Sequence, residues 1–272
     1  MSGHILILSD NTNRDFVSRI HSGASRHGSS AGVKVVMENI NGTGKEAGEC
    51  LDQPGLGGVL LTAPLCDDRH LLLQLEKRNI PYVRIGSMLD SGRGITVTMD
   101  EYDAARVVTT TLLEAGHRRI GIIRGPRSHL SSMRRYNGFV AALGAKGLKP
   151  EPGLIVEGDY TRESGAEQGA KLLAAQPTAV FASNDNMALG FTDAARRAGL
   201  SLPRDLSLVG FDDDPFAKTM APPLTSIRQP LEEMGAKACE KMVAAMKGGA
   251  TTGHADVPYQ LVERASVAPP AG

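Results

Sequence analysis

Short apolar runs alternate with amphipathic stretches along nearly the whole of this 272-residue chain. The runs are His4–Ser9, Val33–Met37, Gly58–Thr62, Pro81–Ile85, Ile95–Thr98, Arg119–Arg124, Leu154–Val156, Thr178–Ala182 and Leu206–Phe211, each bounded by Gly or polar residues. Continuous apolar runs of this length suit strands buried on both faces of a parallel sheet. The segments between them are of helix length: Arg14–His27, Arg69–Arg78, Glu101–Ala115, Ser132–Lys146, Arg162–Ala175, Asn186–Ala198 and Leu231–Met246. Asp100 is a good cap for the third of these, Gly116 stops it, and His117 is read as a partner of its dipole. Such alternation predicts an α/β fold with right-handed crossovers.

The strands are too many for one doubly wound sheet, and the length suits about two domains at roughly 150 residues each. The expected architecture is therefore two doubly wound parallel-sheet lobes. They divide near residues 97–101, with four βα units before the division and roughly five after it. No low-complexity tract or long linker separates them, which suits lobes sharing a cleft. The helix after Gln229–Pro230 is expected to return to the first lobe.

Composition narrows the function classes. Lys plus Arg and Asp plus Glu are each 30, so the formal net charge is zero, unlike a strongly basic nucleic-acid module or a polybasic membrane binder. No run of ~18 apolar residues is present to span a membrane. The start, MSGHILILSD, lacks the pattern of a signal peptide, and three cysteines without CxxC spacing (Cys50, Cys66, Cys239) suit reduced thiols in the cytoplasm. No GxSxG, HExxH or CxxC motif occurs, no GxGxxG follows the first strand, and NGTGKE at Asn41–Glu46 lacks the span and the hydroxyl of a P-loop. No nucleophile with a base, no metal set and no cofactor motif is legible, so a non-enzyme without cofactor is expected.

In open α/β sheets ligands bind outside the carboxyl ends of the strands, where connections diverge. The residues following the runs are polar: Ser9, Asp10 and Asn11 with Asp15 and Phe16 beyond; His129, Ser131 and Arg135; Asp159 and Tyr160; Ser183, Asn184 and Asp185; and Asp212, Asp213 and Asp214. Donors, acceptors and single rings on one rim suit a small, neutral, hydroxyl- or amide-rich ligand. Arg135, four residues before Phe139, shares the buried face of its helix and needs a partner. A ligand is favoured over an internal ion pair, although Asp212 is available to pair with it in the empty state. Ser183 and Asn184 serve equally well as helix caps or ligand contacts. Asp212 is the ligand candidate of the acidic run, with Asp213 and Asp214 read as a solvated turn. Tyr160 and Phe16 are undecided between core and stacking platform.

Five stretches carry a specific likeness: VTMDEYDAARVVTTTLLEAGHRRIGIIRG (Val97–Gly125), RYNGFVAAL (Arg135–Leu143), GDYTRESG (Gly158–Gly165), TAVFASNDNMALG (Thr178–Gly190) and LSLVGFDDDPFAKTMAPPLTSIRQP (Leu206–Pro230). In that order they resemble the effector-binding core of LacI/GalR-type bacterial transcriptional regulators. The resemblance implies a periplasmic-binding-protein-like fold, with lobes at 1–98 plus about 229–253 and at 99–228 plus about 254–268. Three crossings would join them, near Thr98–Glu101, Ile227–Gln229 and Gly253–Val257. It implies an effector held by Asp15, Phe16, Ser131, Arg135, Tyr160, Asn184, Asp185, Asp212 and Gln229, with His129 a weaker candidate. The implied partners are a small-molecule effector and a second copy in a homodimer, built from segments such as Arg69–Arg78 and Phe216–Pro223. Operator DNA would be reached only through an N-terminal headpiece, and the chain reads as a core from which that headpiece is missing. A solute-binding protein of a sugar transporter is the alternative. Alanine at 135 or 212 is expected to abolish effector binding without unfolding the core.

Overall fold

The computed structural model describes residues 3–89 and 92–271. Up to residue 99 it forms β1 (His4–Ser9), α1 (Arg14–Ser30), β2 (Lys34–Asn39), β3 (Leu56–Thr62), α2 (Arg69–Lys77), β4 (Tyr82–Ile85) and β5 (Ile95–Thr98). Next come α3 (Glu101–Glu114), β6 (Ile120–Arg124), α4 (Leu130–Ala145), β7 (Ile155–Glu157), α5 (Arg162–Leu173), β8 (Ala179–Ala182), α6 (Asp185–Arg197), β9 (Ser207–Asp212) and β10 (Thr225–Arg228). The chain ends with α7 (Leu231–Met246), β11 (Gly253–Asp256) and β12 (Gln260–Val262).

Two compact units result. The first holds the chain up to Met99 together with Pro230–Pro258, and the second holds Asp100–Gln229 and the residues from Tyr259 onward. Three boundaries differ from the expected ones, the first by one residue, since Met99 belongs to the first unit. Residues 254–258, assigned from sequence to the second lobe, belong to the first unit, because β11 pairs in parallel with β5, Gly253 against Ile95 through Asp256 against Thr98. Gln229, assigned to the first lobe, belongs to the second unit, where its side chain bonds Asp212.

The first sheet has the order β11-β5-β4-β3-β1-β2 and is parallel throughout. The second has the order β12-β10-β9-β8-β6-β7, parallel except for β12 against β10. In each sheet the strand order reverses at one place, between β1 and β3 and between β6 and β8, which is where such sheets open a crevice. Sequence reading missed β10, β11 and β12, since GHAD in β11 has no apolar run and QLV in β12 is three residues long. The four βα units expected before the division include no helix named between β2 and β3, and no α-helix forms there. That connection holds only a 3-10 turn, Ala47–Leu51, and its Gly42 and Gly44 both take left-handed φ values that end regular structure.

Capping fixes the helix starts. Asn13 Oδ1 accepts from the backbone N–H of Asp15 and Phe16 at the head of α1, and Asp100 Oδ1 accepts from Asp103 N–H at the head of α3. In the first unit α1 and α7 pack on one face of the sheet over Ile5, Ile7, Leu60, Val83 and Val97. In the second, α3 packs with α4 and α5 with α6. No described helix is long and apolar enough to cross a membrane.

Candidate functional site

The second unit gathers polar groups at the carboxyl ends of β6, β8, β9 and β10. Arg135, on α4, is 5% exposed. Its Nε donates to Glu101 Oε2 at 2.6 Å, its Nη2 to Glu101 Oε1 at 3.2 Å, and its Nη1 to the Ser183 carbonyl at 2.5 Å. Nη1 also lies 3.6 Å from Asp212 Oδ1, and the guanidinium carbon sits 3.6 Å from the Phe211 ring centre. Burial alone would lower the Arg135 pKa, but the Glu101 and Asp212 carboxylates outweigh it and hold it above its ordinary value. The internal ion pair, the less favoured alternative for Arg135, is therefore present, with Glu101 as its main partner.

Glu101 was not a sequence candidate. It was legible in principle: positions 101, 104, 105, 108 and 112 recur at helical spacing, and all five are buried. Its place directly after the capping Asp100 also suits an ordinary first-turn acid, so the sequence alone does not single it out.

Asp212 closes β9 with φ +110°, and Asp213 follows at +52°. Two successive non-glycine residues in left-handed backbone store strain of about 1–3 kcal/mol each, a feature that concentrates at functional sites. Asp212 Oδ1 accepts from Gln229 Nε2 at 2.5 Å. The reading of Asp213 and Asp214 as a solvated turn is corrected, since both are buried. Asp213 pairs with Arg228 at 2.7 Å and with Arg264, and the Asp214 N–H donates to Asp185 Oδ2 at 2.8 Å.

Asn184 uses both ends of its amide within the unit: Oδ1 accepts from Met187 N–H at 2.9 Å as the cap of α6, and Nδ2 donates to the Tyr160 carbonyl at 3.0 Å. Asp185 is fully buried, with Ser226 Oγ donating to its Oδ1 at 2.8 Å. Burial first, and the Asp212 charge second, push its carboxyl well above the usual range. Its two oxygens are taken up by the Asp214 N–H and Ser226 Oγ, so the side chain supports the turn after β9. Tyr160 adopts φ +70°, and its ring covers Gly125, with the hydroxyl 3.5 Å from Ser131 Oγ and the ring 5.6 Å from that of His129. Ser131, Tyr160, Asn184, Arg135, Asp212 and Gln229 thus form one neighbourhood. Ser183 Oγ is buried there with no hydrogen-bond partner among the described residues.

In the first unit the corresponding end of the sheet carries Asn11, whose Nδ2 donates to the Ala63 carbonyl at 3.1 Å across the β1–β3 reversal. Asp15 and Phe16 lie on the first turn of α1, Asp15 Oδ2 being 3.9 Å from Arg19 Nη1 and the Phe16 ring packing partly buried on the core. His117 is no dipole partner. It is buried, its Nε2 donates to the Ala268 carbonyl at 2.9 Å, and its Nδ1 lies 3.0 Å from Thr178 Oγ1. All three cysteines are buried and unbridged. Among the described residues no group of three or more His, Cys, Asp or Glu side chains is placed to hold a metal ion.

Comparison with known proteins adds to this geometry. Residues 109–267 match the family described as a periplasmic binding protein-like domain. The chain is 32% identical over 236 residues to the HTH-type transcriptional regulator MalR of Streptomyces coelicolor, covering 83% of this chain and 68% of that one. It is 31% identical over 263 residues to the HTH-type transcriptional regulator CelR of Thermobifida fusca, covering 90% and 75%. Among solved structures, a transcriptional regulator CelR–cellobiose complex superposes with a TM-score of 0.88 at 29% identity, covering 98% of this chain and 86% of that one. A LacI family transcriptional regulator from Mycobacterium smegmatis gives 0.87 at 27% identity, covering 98% and 100%.

Proposed function

Because the chain belongs to the LacI family of transcriptional regulators, we propose that it is the sensing and dimerisation core of such a regulator, tuned to a neutral sugar or sugar derivative. One observation carries the choice of ligand: the buried cation of the site, Arg135, already faces two carboxylates, Glu101 and Asp212. A phosphate or carboxylate ligand would meet net negative charge there, whereas hydroxyl groups can donate to Asp212 and accept from nearby donors. The half-buried Tyr160 ring supports a sugar face, and the likeness to a CelR bound to cellobiose supports the same class.

In this reading Ser131, Arg135, Tyr160, Asn184, Asp212 and Gln229 contribute the second-lobe contacts, and Asp15 and Phe16 those of the first. The effector binds one lobe arrangement more tightly and shifts the population toward it. Operator DNA is bound through a helix-turn-helix, as the HTH-type names of the relatives support, and lobe rearrangement in a homodimer changes its affinity by linkage. The core works in the cytoplasm and performs no chemistry, as befits relatives that are transcriptional regulators. Delivery of a solute to a transporter is the second reading, favoured only by the description of the matched domain family.

Thermal-shift screening against cellobiose, maltose, ribose, their phosphates and purine nucleosides tests the proposal. A ligand at 100 times its Kd stabilises by about 2.7 kcal/mol. A neutral sugar is expected to raise the melting temperature and its phosphate to leave it unchanged. A rise with phosphates or nucleosides alone would overturn the ligand class.

A further inference from the structure

The backbone passes between the units after Met99, after Gln229 and after Pro258. In the second unit the residues beside all three crossings connect to the first turn of α3, Tyr259 directly and Gln229 through Asp212 and Arg135. Glu101 is two residues past the first crossing, 6% exposed, and both its oxygens accept from Arg135. Gln229 is the last residue before the second crossing, and its amide donates to Asp212, the other carboxylate beside Arg135. Tyr259 is the first residue after the third, and its hydroxyl donates to Asp103 Oδ2 at 2.5 Å. Asp103 sits two residues beyond Glu101 on the same turn.

We infer that Glu101 is a positioning residue that links the Arg135–Asp212 pair to the chain crossings, an inference that rests on the reading of that pair as part of an effector site. The chemistry is directional. By taking Nε and Nη2 together, Glu101 fixes the guanidinium plane and leaves Nη1 as the edge shared by the Ser183 carbonyl and Asp212. Arg–carboxylate forks of this kind hold orientation as well as charge. Asp212 Oδ1 then stands between Nη1 and Gln229 Nε2. A hydroxyl donated to that oxygen competes with Gln229, so occupancy is felt at the second crossing. A rotation of Arg135 is felt through Glu101 at the first, and through the same helical turn at Asp103 and the third. A purely stabilising role explains the arrangement less well, because a buried ion pair contributes little net stability over an apolar replacement of the same shape.

Hydrogen–deuterium exchange of the unliganded chain, read by mass spectrometry, tests the link without any effector. Glu101→Gln keeps the shape and removes one acceptor. It is expected to speed exchange in peptides covering 226–229 on the order of tenfold, the scale of coupling between sites, while 120–124 in β6 stays as in the parent. Gln229→Leu should by reciprocity speed exchange at 101–104 by a similar factor. It reads the same coupling from the other end if Glu101→Gln folds poorly. Arg106→Ala, which breaks only the exposed Asp103–Arg106 pair, should leave 226–229 unchanged. Acceleration confined to each substituted element, or uniform across the unit, would overturn the inference. A sugar screen without hits would overturn the ligand class but leave this measurement standing.

Discussion

The guanidinium carbon of Arg135 lies 3.6 Å from the centre of the Phe211 ring, on the strand that ends in Asp212. The ring, Glu101 and the Ser183 carbonyl enclose the cation, so Arg135 holds the fold as well as the site. Replacing it with alanine strands the Glu101 carboxylate in the interior, and breaking a buried pair in this way costs roughly 3–5 kcal/mol. Arg135→Ala is therefore expected to lower the urea midpoint sharply, against the sequence-based expectation of a folded but effector-blind core. Asp212→Ala leaves Arg135 paired with Glu101 and is expected to cost less, about 1.5–3 kcal/mol for the lost hydrogen bond from Gln229 Nε2 to a charged oxygen. Chemical unfolding of both variants checks the order.

The close approach of α1 and α7 supplies a second prediction. A Cβ on Gly23 would overlap the Glu232 carbonyl, and one on Gly235 the Ile20 carbonyl. Helix propensity favours Ala over Gly by up to about 1 kcal/mol, but overpacking against backbone costs typically 1–3 kcal/mol. The steric effect is expected to win, so Gly23→Ala and Gly235→Ala should each lower the melting temperature although both are better helix formers.

Acidification should weaken the second unit through His117. Burial holds its pKa below the ordinary 6.5, so the unfolded chain binds the proton first. Stability from this residue is complete above that ordinary value and is lost as the pH falls through the lower folded value. The unfolding midpoint is expected to drop from pH 7.5 to pH 5, and His117→Gln should flatten that dependence. An equal pH dependence in the variant would assign the effect to another group.

Gly125 offers a separate handle on the ring. A Cβ there would overlap the Tyr160 ring, so Gly125→Ala should displace the aromatic face at the rim. Tyr160→Phe keeps the face and removes only the contact with Ser131, whose 3.5 Å length marks it as weak. Calorimetric titration with whichever neutral sugar raises the melting temperature is expected to show a large loss of affinity for Gly125→Ala and a small one for Tyr160→Phe.

Along the chain, the local order was legible because it follows from nearest-neighbour physics. Apolar runs such as Ile5–Leu8 mark buried strands, Asn13 and Asp100 mark helix starts, and Leu231–Met246 is helical over its whole predicted length. Only the tertiary structure decided which unit β11 joins, and that Asp185 faces inward while Glu101 grips Arg135. Those outcomes depend on contacts between residues tens of positions apart. Polar side chains such as Glu101 and Asp185 carry no periodic mark of their own partners, so their roles appear only once packing has removed water and forced each buried charge to find its counterpart.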